Sequence, residues 1–269
     1  MASLSSSSYI MSKKSHPLLK SLIQSNKAIL SQKLLLLDIL ESKYKDMAIA
    51  NATTQCAIHN YFFTTQCPIV HASIGQHYRH SMDHIELAVL VASSTTTTTA
   101  KNAALNNRNG INHIGSTIIG QEEKGQEKED ESIVTLNYDL RVRGGTLEKD
   151  VNETKKRIHS VMNVLDELQL QNTNHNATAT NTNTTLTDDA VNASFMLSSN
   201  DDDNGGGGGG EMILKSTIGR ELGFCAHHAI HHMAMVKIIA VQTLGIKEDE
   251  LPSDFGKAPS TVQFEQNEH

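Results

Sequence analysis

The chain has 269 residues, of which 38% are hydrophobic and 4% aromatic, with no Trp; a dense core spread evenly over this length is excluded, and part of the chain must lie outside a packed domain. A net charge of -7, from 23 Lys and Arg against 30 Asp and Glu, leaves no basic footprint for nucleic acid or anionic lipid. Three cysteines, Cys56, Cys67 and Cys225, make no disulfide framework and suit a reducing compartment.

In chain order, residues 1–16 are Ser-rich, and no Asp or Glu occurs before Asp38. This is the composition of an organellar transit peptide without its Arg, so a cytoplasmic location is expected, with organellar targeting as the alternative. No apolar run approaches the length of a membrane span, since the run 34–37 ends at Asp38, and a soluble protein is expected. Over 17–48, Leu18, Leu22, Ile29, Leu36 and Leu40 recur at helical spacing, with Pro17 suited to a first turn. A second helix is predicted over 73–92. Residues 93–132 follow, with a Thr run at 95–99 and a charged patch at 122–131; such a stretch buries too little apolar surface to offset its ordering entropy and reads as a disordered insertion.

A third helix is predicted from Leu147, Val151, Ile158, Met162, Leu165 and Leu168, entered through Gly144 and Gly145 with Thr146 as its N-cap. Residues 171–210, rich in Asn and Thr and closing on six glycines at 205–210, read as a second disordered insertion. The fourth helix is predicted over 216–244, stopping at Gly245. Residues 133–138 and 195–197 could pair as short strands, a minor feature beside the helices. The expected fold is therefore all-α, an antiparallel four-helix bundle spanning 17–262 with low-complexity insertions at 93–132 and 171–210 and a tail at 263–269.

Fourteen histidines are the anomaly. Residues 227–232 read His-His-Ala-Ile-His-His, four imidazoles where composition leads one to expect about 0.3. His228 and His232 lie four apart and so share one helical face, as do His227 and His231; either pair can grip one metal ion. The fourth helix is apolar nearly all round, so periodicity does not choose between them. One tie-breaker is the stripe Glu221, Cys225, His228, His232, Met235, which places a carboxylate two turns before the first imidazole. A third ligand must come from a facing helix, and His77, His80 and His84 form a stripe on the second. Singly, His77 or His84 on a half-apolar helix is more often exposed or hydrogen-bonded than ligating. Cys225 could be a fourth ligand or a nucleophile, although a buried small hydrophobe is its commoner role.

Four blocks resemble the DinB-like (DinB/YfiT) superfamily: Ser73-Ile74-Gly75-Gln76-His77-Tyr78-Arg79-His80 with Asp83-His84; Asn137-Tyr138-Asp139-Leu140-Arg141-Val142-Arg143 leading to Glu148 and Asp150; Ser216-Thr217-Ile218-Gly219-Arg220-Glu221-Leu222 with His228-Ala229-Ile230-His231-His232; and Asp254-Phe255-Gly256-Lys257-Ala258-Pro259-Ser260-Thr261. The resemblance implies a four-helix bundle in which one second-helix His and a His-x-x-x-His pair hold a divalent metal such as zinc, nickel or iron. Carried over by position, the ligands are His80, His228 and His232, with His77 and His84 as rivals on the second helix; helical spacing keeps His227 and His231 as alternatives, and Glu221 and Asp83 are candidate outer groups.

Three protein ligands with an open position suit a catalytic metal. By resemblance the expected function is metal-dependent thiol transfer, with metal-dependent hydrolysis as the alternative; a non-catalytic metal-binding or storage bundle is the competing class. Arg79, Arg141, Arg143 and Arg220 could hold a substrate carboxylate, although ion pairing with Asp83, Asp139 and Glu221 is the simpler role. The partners expected are a small-molecule substrate, a thiol among the candidates, and a second copy of the chain as a homodimer; nucleic acid and membrane are not expected.

Overall fold

The structure is a computed structural model that describes residues 16–50, 55–96, 133–140, 143–178, 186–196 and 210–267. The expected N-terminal segment, up to residue 15, lies outside them, as do 97–132 of the first expected insertion. The described chain is mostly helical: α1 (His16–Ala50), α2 (Gln55–Thr64), α3 (Ile74–Thr96), α4 (Val151–Thr178), α5 (Ile218–Ile238) and α6 (Pro259–Asn267). No described helix is long and apolar enough to cross a membrane.

Apolar side chains at helical spacing explain how these helices associate. Leu19, Ile23, Leu30 and Leu37 of α1, Ile74, Tyr78, Met82 and Ile85 of α3, Ile158, Val161, Leu165 and Leu168 of α4, and Leu222, Ala229, Met233 and Val236 of α5 are all buried in one core. Helix α3 lies between α5 and α4, and α1 packs on both of these as well as on α2.

Helix starts follow local chemistry. Ser73 and Gln76 form a reciprocal cap, with Gln76 N donating to Ser73 Oγ (3.2 Å) and Ser73 N to Gln76 Oε1 (2.9 Å). At α5, Thr217 Oγ1 accepts from Arg220 N (3.2 Å). The third predicted helix starts later than expected. Thr146 opens a 3₁₀ turn, Thr146–Glu148, and the cap of α4 is Asp150, whose carboxylate accepts from Asn152 N (2.8 Å) and Glu153 N (3.1 Å). A carboxylate two and three residues ahead of the donors out-competes the more distant Thr146 hydroxyl. Gly75 lets α3 approach that turn, because a Cβ there would lie 2.1 Å from Glu148 O. Helix α5 runs into a π-helical turn, Ile239–Thr243, and the chain breaks out at Gly245 with φ +65°.

The all-α expectation needs correction, because a three-stranded sheet is present. β1 (Thr135–Asn137) runs parallel to β2 (Ala190–Met196), which pairs antiparallel with β3 (Glu211–Thr217). β2 and the 3₁₀ turn Leu186–Asp188 lie inside the span 171–210 expected to be a disordered insertion, and α4 runs on to Thr178. Val191 and Ala193 of β2 are buried, as is Leu136 of β1, so this stretch contributes core despite its Asn-rich and Thr-rich surroundings. The expected tail at 263–269 is likewise helical through Asn267. The sheet bears on the site in two ways: Tyr138 follows β1 directly, and β3 leads without a break into α5.

Candidate metal centre

The packing of α3 on α5 sets two histidine stripes face to face. His228 Nε2 lies 3.1 Å from His80 Nε2 and 3.1 Å from His232 Nε2. One ligating nitrogen from each of His80, His228 and His232 falls within 4.8 Å of the other two, and this group could hold a metal ion. A tetrahedral ion about 2.0–2.1 Å from each nitrogen requires edges of about 3.3 Å, which the two 3.1 Å separations match. Hydrogen bonding alone fits less well, since His228 Nε2 faces two other ring nitrogens and can carry at most one proton.

The electrostatics favour neutral imidazoles. Burial, reinforced by His228, His80, His77 and Lys33, pulls His232 down to about 2, and burial with Lys33 and His231 pulls His77 down to about 4. Neutral rings keep the lone pairs that ligation requires.

The other candidates separate by face. His227 and His231 are exposed, and His231 lies beside the cluster rather than in it, its ring centroid 5.4 Å from that of His232. His77 Nδ1 sits 2.8 Å from His232 Nδ1, on the far side of that ring from the three converging nitrogens, and His77 Nε2 is buried with no hydrogen-bond partner among the described residues. His84 is buried, with its ring centroid 4.4 Å from that of His228 and 4.8 Å from that of His80.

Asp83 does not serve the imidazoles. Its carboxylate pairs with Arg79 Nη1 (3.0 Å) and Arg157 Nη2 (2.8 Å), within a buried chain of charges that runs from Glu148 through Arg79, Asp83 and Arg157 to Glu86. Arginines on both sides offer stronger, charge-assisted bonds than a neutral ring.

Glu221 acts at one remove. Its Oε2 accepts from Tyr138 Oη (2.6 Å), and its Oε1 accepts from Ser216 Oγ and from Arg220 Nη1 (2.6 Å). The Tyr138 ring stacks on His84, with centroids 4.7 Å apart and planes at 15°. Burial and the Glu221 carboxylate hold the Tyr138 phenol well above its usual range, so it remains a donor.

Cys225 is fully buried on the α1 side of α5, with Sγ directed to Leu222 O (3.3 Å) and Asn26 Oδ1 (3.5 Å). Burial pushes its thiol up, as does Glu221, and a thiol held protonated neither ligates nor attacks. Of the arginines, Arg79 and Arg220 are engaged in ion pairs, Arg143 is exposed, and Arg141 lies outside the described residues.

Two features beneath the site escape a reading by spacing. Lys33, fully buried on α1, donates to Ser81 Oγ (2.6 Å) and lies over the Tyr78 ring, 4.2 Å from its centroid. Burial and the Arg157 guanidinium pull it down to about 7. Its position in the inward series Leu30, Lys33, Leu37 was the available signal. Arg157 lies one residue before buried Ile158 on α4, but nothing in the local pattern marks its acidic partners on α3.

No family model matches the chain, and no solved structure matches it. Among curated proteins, FK506-binding protein 5 of Rhizopus delemar is similar, at 30% identity over 131 residues, or 49% of this chain. The similarity covers 28% of that protein, so the chain spans little more than a quarter of its relative's length.

Proposed function

We infer that this chain is a DinB-like metal protein in which α1, α3, α4 and α5 form the four-helix bundle, and in which His80, His228 and His232 bind one divalent ion, zinc, nickel or iron, for thiol transfer. The observation that carries the reading is the convergence of three imidazole nitrogens, two of the separations being 3.1 Å, from helices held together by a continuous core. Imidazole ligands suit all three metals. When bound, such an ion supplies Lewis acidity and makes a thiol or water reactive near neutral pH.

The protein's own groups supply the rest. His80, His228 and His232 fix the ion from one side. Tyr138, pinned by Glu221, holds the ring of His84 against the cluster. A small thiol is the substrate class proposed, and hydrolysis is the alternative use of the same centre.

A non-catalytic site is the second reading, and one observation favours it: His84 is close enough to His80 and His228 for a small side-chain movement to add a fourth imidazole and close the shell. The test is metal analysis of protein purified without a histidine tag, followed by cobalt substitution. About one metal per chain is expected, with a visible spectrum that changes on addition of millimolar thiol, azide or cyanide. An unchanged spectrum means a closed shell and replaces the enzyme with the storage or structural role.

A further inference from the structure

We propose that His77 is a positioning residue for this centre: it accepts a hydrogen bond from His232 Nδ1 and thereby holds the His232 lone pair on Nε2, facing His80 and His228. The inference rests on the metal reading above and adds a role distinct from ligation.

The two nitrogens of His232 have different neighbours. Nε2 lies 3.1 Å from His228 Nε2, while Nδ1 lies 2.8 Å from His77 Nδ1. A neutral imidazole carries one proton, on one nitrogen or the other. If His77 donated from Nδ1, the His232 proton would be forced onto Nε2, where it would block the ion. Donation in the other direction leaves Nε2 free, and only that direction is compatible with ligation. A metal-bound histidine usually donates its second N–H to a carboxylate, carbonyl or water, which fixes tautomer and ring orientation. Neither acidic candidate fills this role, since Asp83 is held by two arginines and Glu221 by Tyr138, Ser216 and Arg220. A neutral imidazole takes the carboxylate's place. It lies one turn before His80 on α3, so the helix that supplies a ligand also supplies the acceptor for the ligand opposite.

The assignment also explains why three histidines occur on one face of α3. His80 points a ring nitrogen at the cluster, His84 stacks on Tyr138, and His77 reaches the far side of His232.

The test compares wild type with His77→Leu and His77→Asn by cobalt titration against a competing chelator. Leu removes the acceptor while remaining compatible with a half-buried helix position, and the Asn carbonyl falls close to where Nδ1 stood. Leu is expected to weaken binding by about 10–100-fold, with the visible bands of the saturated protein unchanged in shape, and Asn to recover most of the loss. Nitrogen NMR of the zinc-loaded wild type should find the His232 proton on Nδ1. The proposal is overturned if Leu binds as tightly as wild type, if Asn is no better than Leu, if the bands of the Leu variant report a lost ligand, or if the proton is found on His77 Nδ1. Should the wild type bind no metal at all, the centre itself falls and this role with it; a wild type that binds beside an unaffected Leu variant removes only the role of His77.

Discussion

Lys33 Nζ donates to Ser81 Oγ at 2.6 Å where neither residue reaches solvent, so an ammonium group is placed in the core on the strength of one hydroxyl and the face of Tyr78. Burial lowers its pKa from 10.5 to about 7. Between these values the unfolded chain holds a proton that the folded chain has released, so this group makes stability rise with pH across that window and contributes its full penalty below it. Replacing Lys33 with Met should stabilise the metal-free protein at pH 7 by a few kcal/mol, because Ser81 Oγ still donates to His77 O (2.7 Å). Urea unfolding at several pH values checks this. The advantage of the variant should shrink towards pH 10, and parallel curves for the two proteins would refute the assignment.

Removal of any of His80, His228 or His232 by substitution with Ala should strip most of the metal, since two imidazoles hold an ion far less tightly than three. His227→Ala and His231→Ala should leave it bound, because both side chains face solvent. Elemental analysis of the five variants is the measurement. Loss of metal from the exposed pair alone would place the centre on the other face of α5.

Tyr138→Phe keeps the ring that stacks on His84 but removes the donor to Glu221 Oε2. Glu221 is 1% exposed, so the lost bond should destabilise the fold by about 1–3 kcal/mol. Metal content should be retained, because Ser216 and Arg220 still hold Oε1. Chemical denaturation alongside metal analysis separates the two effects.

Arg157 bridges Asp83 and Glu86. Arg157→Met strands a buried carboxylate on Glu86 and is expected to cost about 3–5 kcal/mol. Adding Glu86→Gln should recover much of the loss, whereas Asp83 keeps Arg79 in either background. A double variant no more stable than Arg157→Met would show that Arg157 acts through packing instead.

The amino-acid sequence by itself located four of the six described helices, α1, α3, α4 and α5, while α2 and α6 were not anticipated. Repeats of Leu, Ile and Val at spacings of three and four, and signals such as Pro17 and Gly245, act over a few residues and depend on nothing distant. The same local rule put His77, His80 and His84 on one stripe, and His228 with His232 on another. The sheet was legible only in part: the expected pairing of segments 133–138 and 195–197 corresponds to β1 with the end of β2, whereas most of β2 and all of β3 were not anticipated. β2 draws its stability from pairing with β1 and β3 and from burying Val191 and Ala193, while its own composition merges with the Asn-rich stretch around it.

The division of labour among the histidines belonged to the tertiary structure. Three imidazoles on one stripe are equivalent along a helix; the packing of α3 across α5 makes His80 converge with His228 and His232 and brings His77 to the far side of the His232 ring, and the docking of Tyr138 after β1 gives His84 its stacking partner. The same holds for Asp83, which local spacing offers to the imidazoles and which the packing of α4 gives to Arg157. Charge and ligation are decided within about 3–4 Å, and separations that short between residues such as His80 and His228, 148 positions apart, are set only when the helices pack.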